Sequence, residues 1–188
     1  ANFNWTDTCQ GFPTIFTDSS TRGTPGTYPI IIWEWNHNGG RYVAGTDSTF
    51  PNPIYEYDTC GNKLTNLTVT DAYGCIDTTS KYVELWCNPI VIINPVPAVC
   101  EGNPSIFTNS SIQGGSAQLI SYYWDMGDGG LGSYQASTTD SSSSPIYQYA
   151  DCGVYIVTLT VTDSNGCEHD TTISVTVNCP PIPNFNSN

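Results

Sequence analysis

The chain has 188 residues, with four Lys plus Arg against 17 Asp plus Glu and a net charge of −13. So acidic a surface repels nucleic-acid phosphates and anionic lipid, which excludes a nucleic-acid partner, and no apolar run is long enough to enter and cross a bilayer as a helix. Only 11% of the residues are charged, while Ser, Thr, Asn, Gly, Pro and Tyr abound, the palette of strands and turns rather than of long helices.

In chain order, the sequence opens Ala1-Asn2-Phe3-Asn4, without an initiator Met or a signal-peptide pattern, and so reads as a processed or excised piece. Thr14-Ile15-Phe16-Thr17-Asp18-Ser19-Ser20 recurs as Ser105-Ile106-Phe107-Thr108-Asn109-Ser110-Ser111. Pro53-Ile54-Tyr55-Glu56-Tyr57 returns as Pro145-Ile146-Tyr147-Gln148-Tyr149, and Leu67-Thr68-Val69-Thr70-Asp71 as Leu159-Thr160-Val161-Thr162-Asp163. Cys9, Cys60, Cys75 and Cys87 map onto Cys100, Cys152, Cys167 and Cys179. The chain therefore reads as two copies of one module.

Within a module the period is two: Leu159 and Val161 alternate with Thr158, Thr160 and Thr162, as Ile173, Val175 and Val177 do with Thr172, Ser174 and Thr176. Asp71-Ala72-Tyr73-Gly74 and Asp163-Ser164-Asn165-Gly166 carry hairpin-turn chemistry. Short strands at this spacing imply an all-β sandwich. Asn88-Pro89 and Asn94-Pro95-Val96-Pro97 mark a stiff connection, which places one sandwich over residues 1–88 and a second over 89–182. The tail 183–188 echoes the opening residues, as the first strand of a third repeat or as a strand added to a neighbouring subunit.

Trp124-Asp125-Met126-Gly127-Asp128-Gly129, Pro145-Ile146-Tyr147-Gln148-Tyr149 and Gly153-Val154-Tyr155-Ile156-Val157-Thr158-Leu159-Thr160-Val161 resemble the signature of the polycystic-kidney-disease (PKD) domain. The first copy departs from it at Trp35-Asn36-His37-Asn38-Gly39-Gly40 and at Gly61-Asn62-Lys63-Leu64. The resemblance implies tandem immunoglobulin-like sandwiches. With the Gly-Cys after the sixth strand it is similar to PKD repeats of large surface proteins and adhesins of Bacteroidota, implying a spacer or adhesive role.

No pattern of convergent acids, bases and nucleophiles stands out, so no catalytic residue and no cofactor are expected. His37, in a degenerate turn, and His169, at the start of the last strand, read as surface residues. Asp125 and Asp128 are weak calcium candidates, a hairpin being sufficient reason for both. Trp35 and Trp124 read as core residues, while Trp5, Trp33 and Trp86 lack counterparts and could form a contact surface.

Eight cysteines in so polar a chain read as disulfide staples in an oxidising, extracellular or cell-surface setting. Cys75 opens the last strand and Cys87 closes it, roughly 40 Å away and far beyond disulfide reach. Cys60 begins the antiparallel neighbour, so Cys60–Cys87 and Cys152–Cys179 are the favoured bridges. Cys9, Cys75, Cys100 and Cys167 then close as Cys9–Cys75 and Cys100–Cys167, or link modules. A competing scheme pairs Cys9 with Cys60 and Cys87 with Cys167.

Asn4, Asn66 and Asn109 stand in N-glycosylation sequons. Ser48, Thr78 and Thr171 follow Asp in a pattern that resembles the O-glycan acceptor motif of Bacteroidota. The low-complexity run 133–144 reads as a polar tip or glycan carrier. These features lead to a non-enzymatic structural segment of a fibre, filament, stalk or adhesin, its partners being copies of itself, further repeats of the same chain and covalent glycans. The alternative is a carbohydrate- or protein-binding accessory module of a secreted hydrolase.

Overall fold

A computed structural model describes residues 1–23, 28–134 and 144–183. It divides into two compact units, Ala1–Cys87 and Asn88–Asn188. The first contains β1 (Phe3–Trp5), β2 (Thr14–Asp18), β3 (Ile30–Asn36), β4 (Arg41–Tyr42), β5 (Ile54–Glu56), β6 (Gly61–Asp71) and β7 (Ile76–Leu85). The second contains β8 (Val99–Cys100), β9 (Ser105–Ile106), β10 (Leu119–Asp125), β11 (Ser133–Tyr134), β12 (Ile146–Gln148), β13 (Gly153–Asp163) and β14 (Glu168–Asn178). The polar run 133–144 and the tail 183–188 lie largely outside the described residues.

In the first unit one sheet runs β1-β2-β5-β4 and the other β3-β6-β7. The second unit has sheets β11-β12-β9 and β10-β13-β14-β8. The longest pairing in each is a hairpin, β6 with β7 from Gly61↔Leu85 to Thr70↔Ile76, and β13 with β14 from Gly153↔Val177 to Thr162↔Glu168. The preceding strand joins it with the tryptophan in matching register, Trp35↔Leu67 and Trp124↔Leu159.

Alternation decides which face becomes core. Along β13, Val157, Leu159 and Val161 are buried while Thr158 and Thr160 between them are not. In the first unit Phe3, Phe16 and Tyr55 from one sheet meet Trp35, Leu67, Val69 and Val83 from the other. Phe107, Tyr147, Trp124, Leu159 and Val175 make the equivalent core of the second unit. Both units are thus all-β sandwiches of immunoglobulin-like kind.

Trp35 and Trp124 are buried, and the Trp35 indole N–H donates to the Phe50 carbonyl at 2.9 Å. Trp5 and Trp33, rather than standing out as a contact surface, are half-buried against the first core, and the Trp33 indole donates to Asp18 Oδ2 at 2.7 Å.

Leu67 is fully buried beside Trp35, so Leu67→Ala removes apolar contacts and leaves a cavity. The expected loss is about 3 kcal/mol of first-unit stability. Urea unfolding followed by tryptophan fluorescence measures it, since Trp5, Trp33, Trp35 and Trp86 all lie in that unit.

Candidate functional site

The feature that recurs most closely between the units is the placement of cysteines at both ends of each long hairpin. At one end, Cys60 immediately precedes β6 and Cys87 closes the strand side of β7. They form a disulfide with Cα atoms 5.0 Å apart. Cys152 and Cys179 do the same across β13 and β14, with Cα atoms 4.9 Å apart. Each bridge spans 27 residues in sequence, and in the chain-entropy account closing such a loop stabilises by about 3.5 kcal/mol.

A further cysteine sits at this bridged end. Cys9 pairs in parallel with Trp86, with Gln10 N–H donating to the Trp86 carbonyl at 2.8 Å and Phe12 N–H to the Cys9 carbonyl at 3.1 Å. Cys100 pairs in parallel with Asn178, with Glu101 N–H donating to the Asn178 carbonyl at 2.9 Å and Asn103 N–H to the Cys100 carbonyl at 3.0 Å. Gly11 (φ 85°) and Gly102 (φ 83°) make the same left-handed turn after each cysteine, a conformation that favours glycine.

The last cysteine of each set sits in the hairpin turn at the opposite end. Asp71 Oδ1 accepts from Tyr73 N–H at 2.8 Å and Cys75 N–H at 3.0 Å. Asp163 Oδ1 accepts from Asn165 N–H and Cys167 N–H, both at 2.9 Å. These carboxylates hold the turn by bonding the backbone that follows them.

This geometry corrects two expected pairings. Cys9 lies beside the end of β7 and Cys75 before its start, and ten residues of strand separate the two ends by roughly 33 Å. Cys100 and Cys167 are held apart in the same way by β14. Closure as Cys9–Cys75 or Cys100–Cys167 is therefore sterically impossible. Cys75 and Cys100 are free and exposed, whereas Cys9 and Cys167 are disulfide-bonded. The competing Cys9–Cys60 scheme fails because Cys60 is bonded to Cys87.

The weak calcium candidates are occupied as turn formers. Asp128 Oδ1 accepts from Gly130 N–H at 2.9 Å, and Oδ2 accepts from Gly132 N–H at 2.8 Å and the Tyr147 hydroxyl at 2.7 Å. Partial burial pushes this carboxyl up, but those hydrogen bonds outweigh it and hold the group below its ordinary range. Asp125 Oδ1 accepts from Gly127 N–H at 2.9 Å. Among the described residues no group of three His, Cys, Asp or Glu side chains is placed to hold a metal ion.

Of the glycosylation candidates, Asn4 and Thr78 are exposed; Asn66, Asn109, Ser48 and Thr171 are half-buried. Asn109 Oδ1 accepts from Ser111 N–H at 2.9 Å, and the Thr78 and Thr68 hydroxyls lie 2.9 Å apart across β6 and β7.

His37 is placed differently from the surface position expected. It continues the inward alternation of Trp33 and Trp35, stacks on Tyr55 with ring centres 4.1 Å apart, and contacts Phe16 at 4.6 Å. Its Nδ1 lies 3.2 Å from the Tyr57 hydroxyl and 3.3 Å from Thr65 Oγ1, which are themselves 2.7 Å apart. The second copy has Met126, Tyr149 and Val157 at these places. That apolar substitution was the sequence signal that His37 points inward. His169 instead lies exposed on β14 opposite Val161.

The PKD-domain model matches residues 86–179, half of the chain. The chain belongs to the PKD-domain family. A stretch of 75 residues is 35% identical to collagenase ColA of Bacillus cereus, covering 40% of this chain and 7% of the collagenase. The chain thus spans only a small part of that relative. Among solved structures, the PKD1 domain of Vibrio anguillarum Epp aligns at 29% identity and TM-score 0.39, over 50% of this chain and 96% of that one. The D00-D0 domain of Intimin aligns at 9% identity and TM-score 0.38, over 93% and 97%. PKD domains are generally non-catalytic modules, and the disulfides of this one suit an extracellular setting.

Burial lowers the His37 pKa from 6.5 to about 4. The unfolded chain therefore takes up a proton near pH 6.5 that the folded unit refuses until about pH 4. The first unit is expected to lose about 3 kcal/mol as pH falls through that window. In His37→Met this part of the pH dependence should vanish, which tryptophan-detected thermal unfolding at pH 7 and pH 4.5 would measure.

Proposed function

We propose that the chain is a structural building block of an extracellular or cell-surface fibre, stalk or adhesin, with both units acting as PKD sandwiches in a series that continues through further copies. The observation that supports this most is the recurrence of the same backbone and the same cysteines at both ends of each unit. A module that repeats its ends can be extended indefinitely, because each copy needs to meet only its neighbours. The acidic, sparsely charged surface keeps such an assembly soluble and away from nucleic acid. Glycans at exposed Thr78 and Asn4, and at Thr171, Ser48, Asn66 and Asn109, belong to this reading, and an intact mass of native material above 20.4 kDa would support them.

The second reading is an accessory module of a secreted hydrolase, favoured by the similarity to collagenase ColA. Exposed Tyr73, Tyr82 and Tyr123 offer rings for ligand stacking, but all five tryptophans are buried or half-buried.

Electron microscopy of native, unreduced material separates the two. Filaments with an axial repeat of one or two modules are expected; discrete particles that bind glycans or protein on an array would favour the accessory module.

A further inference from the structure

The cysteine pattern leaves two ends unsatisfied. Cys75 and Cys167 occupy the same Asp-x-x-Gly-Cys turn, and Cys9 and Cys100 the same parallel pairing beside the bridged end. Within each equivalent pair one member is oxidised and the other is a free, exposed thiol. The free thiols are of opposite kinds, Cys75 from a turn end and Cys100 from a bridged end, and strand length prevents either from closing within its own unit. We propose that Cys100 of one chain and Cys75 of a second copy form a disulfide that joins chains head to tail.

The two free thiols have different neighbours. Cys75 borders a cleft of about 380 Å³ that also includes Arg22, Tyr28, Ile76 and the carboxylates of Asp71 and Asp77, and Ile76 is 69% exposed. Cys100 is followed directly by Glu101, which is exposed. The equivalents of Arg22 and Glu101 in the other copy are the uncharged Gln113 and Gln10. Arg22 is thus the side-chain cation lining the Cys75 cleft, and an Arg22–Glu101 contact is available at the two free thiols and not at their oxidised counterparts, which favours this pairing.

The bond forms by exchange with a small-molecule disulfide such as oxidised glutathione. The Cys100 thiolate attacks one sulfur, making a mixed disulfide and releasing one glutathione thiolate. The Cys75 thiolate of the next copy then attacks the Cys100 sulfur, forming the interchain bond and releasing the second. The two protons lost by the protein thiols end on the two glutathiones; the protein is oxidised and the small disulfide reduced.

This linkage deepens the fibre reading, and the test separates the two. The whole chain is incubated with oxidised and reduced glutathione and examined on non-reducing gels, with mass spectrometry of the linked peptides. A ladder of covalent oligomers containing a Cys75–Cys100 peptide is expected. Cys75→Ser or Cys100→Ser alone should stay monomeric, while their mixture should give one dimer and nothing larger. Arg22→Glu should slow cross-linking roughly fivefold, and Glu101→Arg in the same chain should restore it. Dimers of either single variant alone as abundant as in the mixture would overturn the head-to-tail bond. So would wild type that loses both thiols yet remains a monomer. Filaments that form equally with both cysteines replaced would also overturn it while leaving the fibre reading intact.

Discussion

Each unit depends on one long antiparallel hairpin, β6–β7 or β13–β14, whose inward residues supply half the core and whose two ends are tied by different chemistry. One end is a turn held by a single aspartate, Asp71 or Asp163, that accepts from two backbone N–H groups. The other is a disulfide across the strand termini. A small sandwich has limited apolar area to bury, so a tie that stabilises by about 3.5 kcal/mol is a large part of the small net stability of such a unit.

The same two ties set the positions of the remaining cysteines. The turn projects Cys75 or Cys167 at one end, and the segment that pairs in parallel beside Trp86 or Asn178 sets Cys9 or Cys100 at the other. Roughly 33 Å of strand between them keeps the two cysteines of each unit from pairing with one another, and Cys75 and Cys100 stand as exposed thiols. Stability and connectivity thus come from one element: the hairpin that stiffens the unit also makes its end thiols unable to satisfy one another.

Much of this was legible in the sequence because strand geometry is simple. The period of two in Leu159 and Val161, the matching Trp35 and Trp124, and the Asp-x-x-Gly turns all follow from local rules, and strand length alone favoured Cys60–Cys87. The position of Cys9 was not legible. Its parallel pairing with Trp86 is a contact between chain segments far apart in sequence, and no local pattern announces it. The turn-like Asn-His-Asn-Gly-Gly composition similarly concealed that His37 points inward among aromatic rings, although Met126 in the second copy marked that place as apolar. The two cores therefore differ where the folds agree: His37, Tyr57 and Thr65 form a polar cluster in the first, and Met126, Tyr149 and Val157 stand in the second.

Hairpin length dictates which cysteines can meet. Peptide mapping of the unreduced protein after alkylation of free thiols tests it directly. Linked peptides are expected for Cys60–Cys87 and Cys152–Cys179 in every preparation, and none for Cys9–Cys75 or Cys100–Cys167. Recovery of either of the latter pairs from folded protein would contradict it.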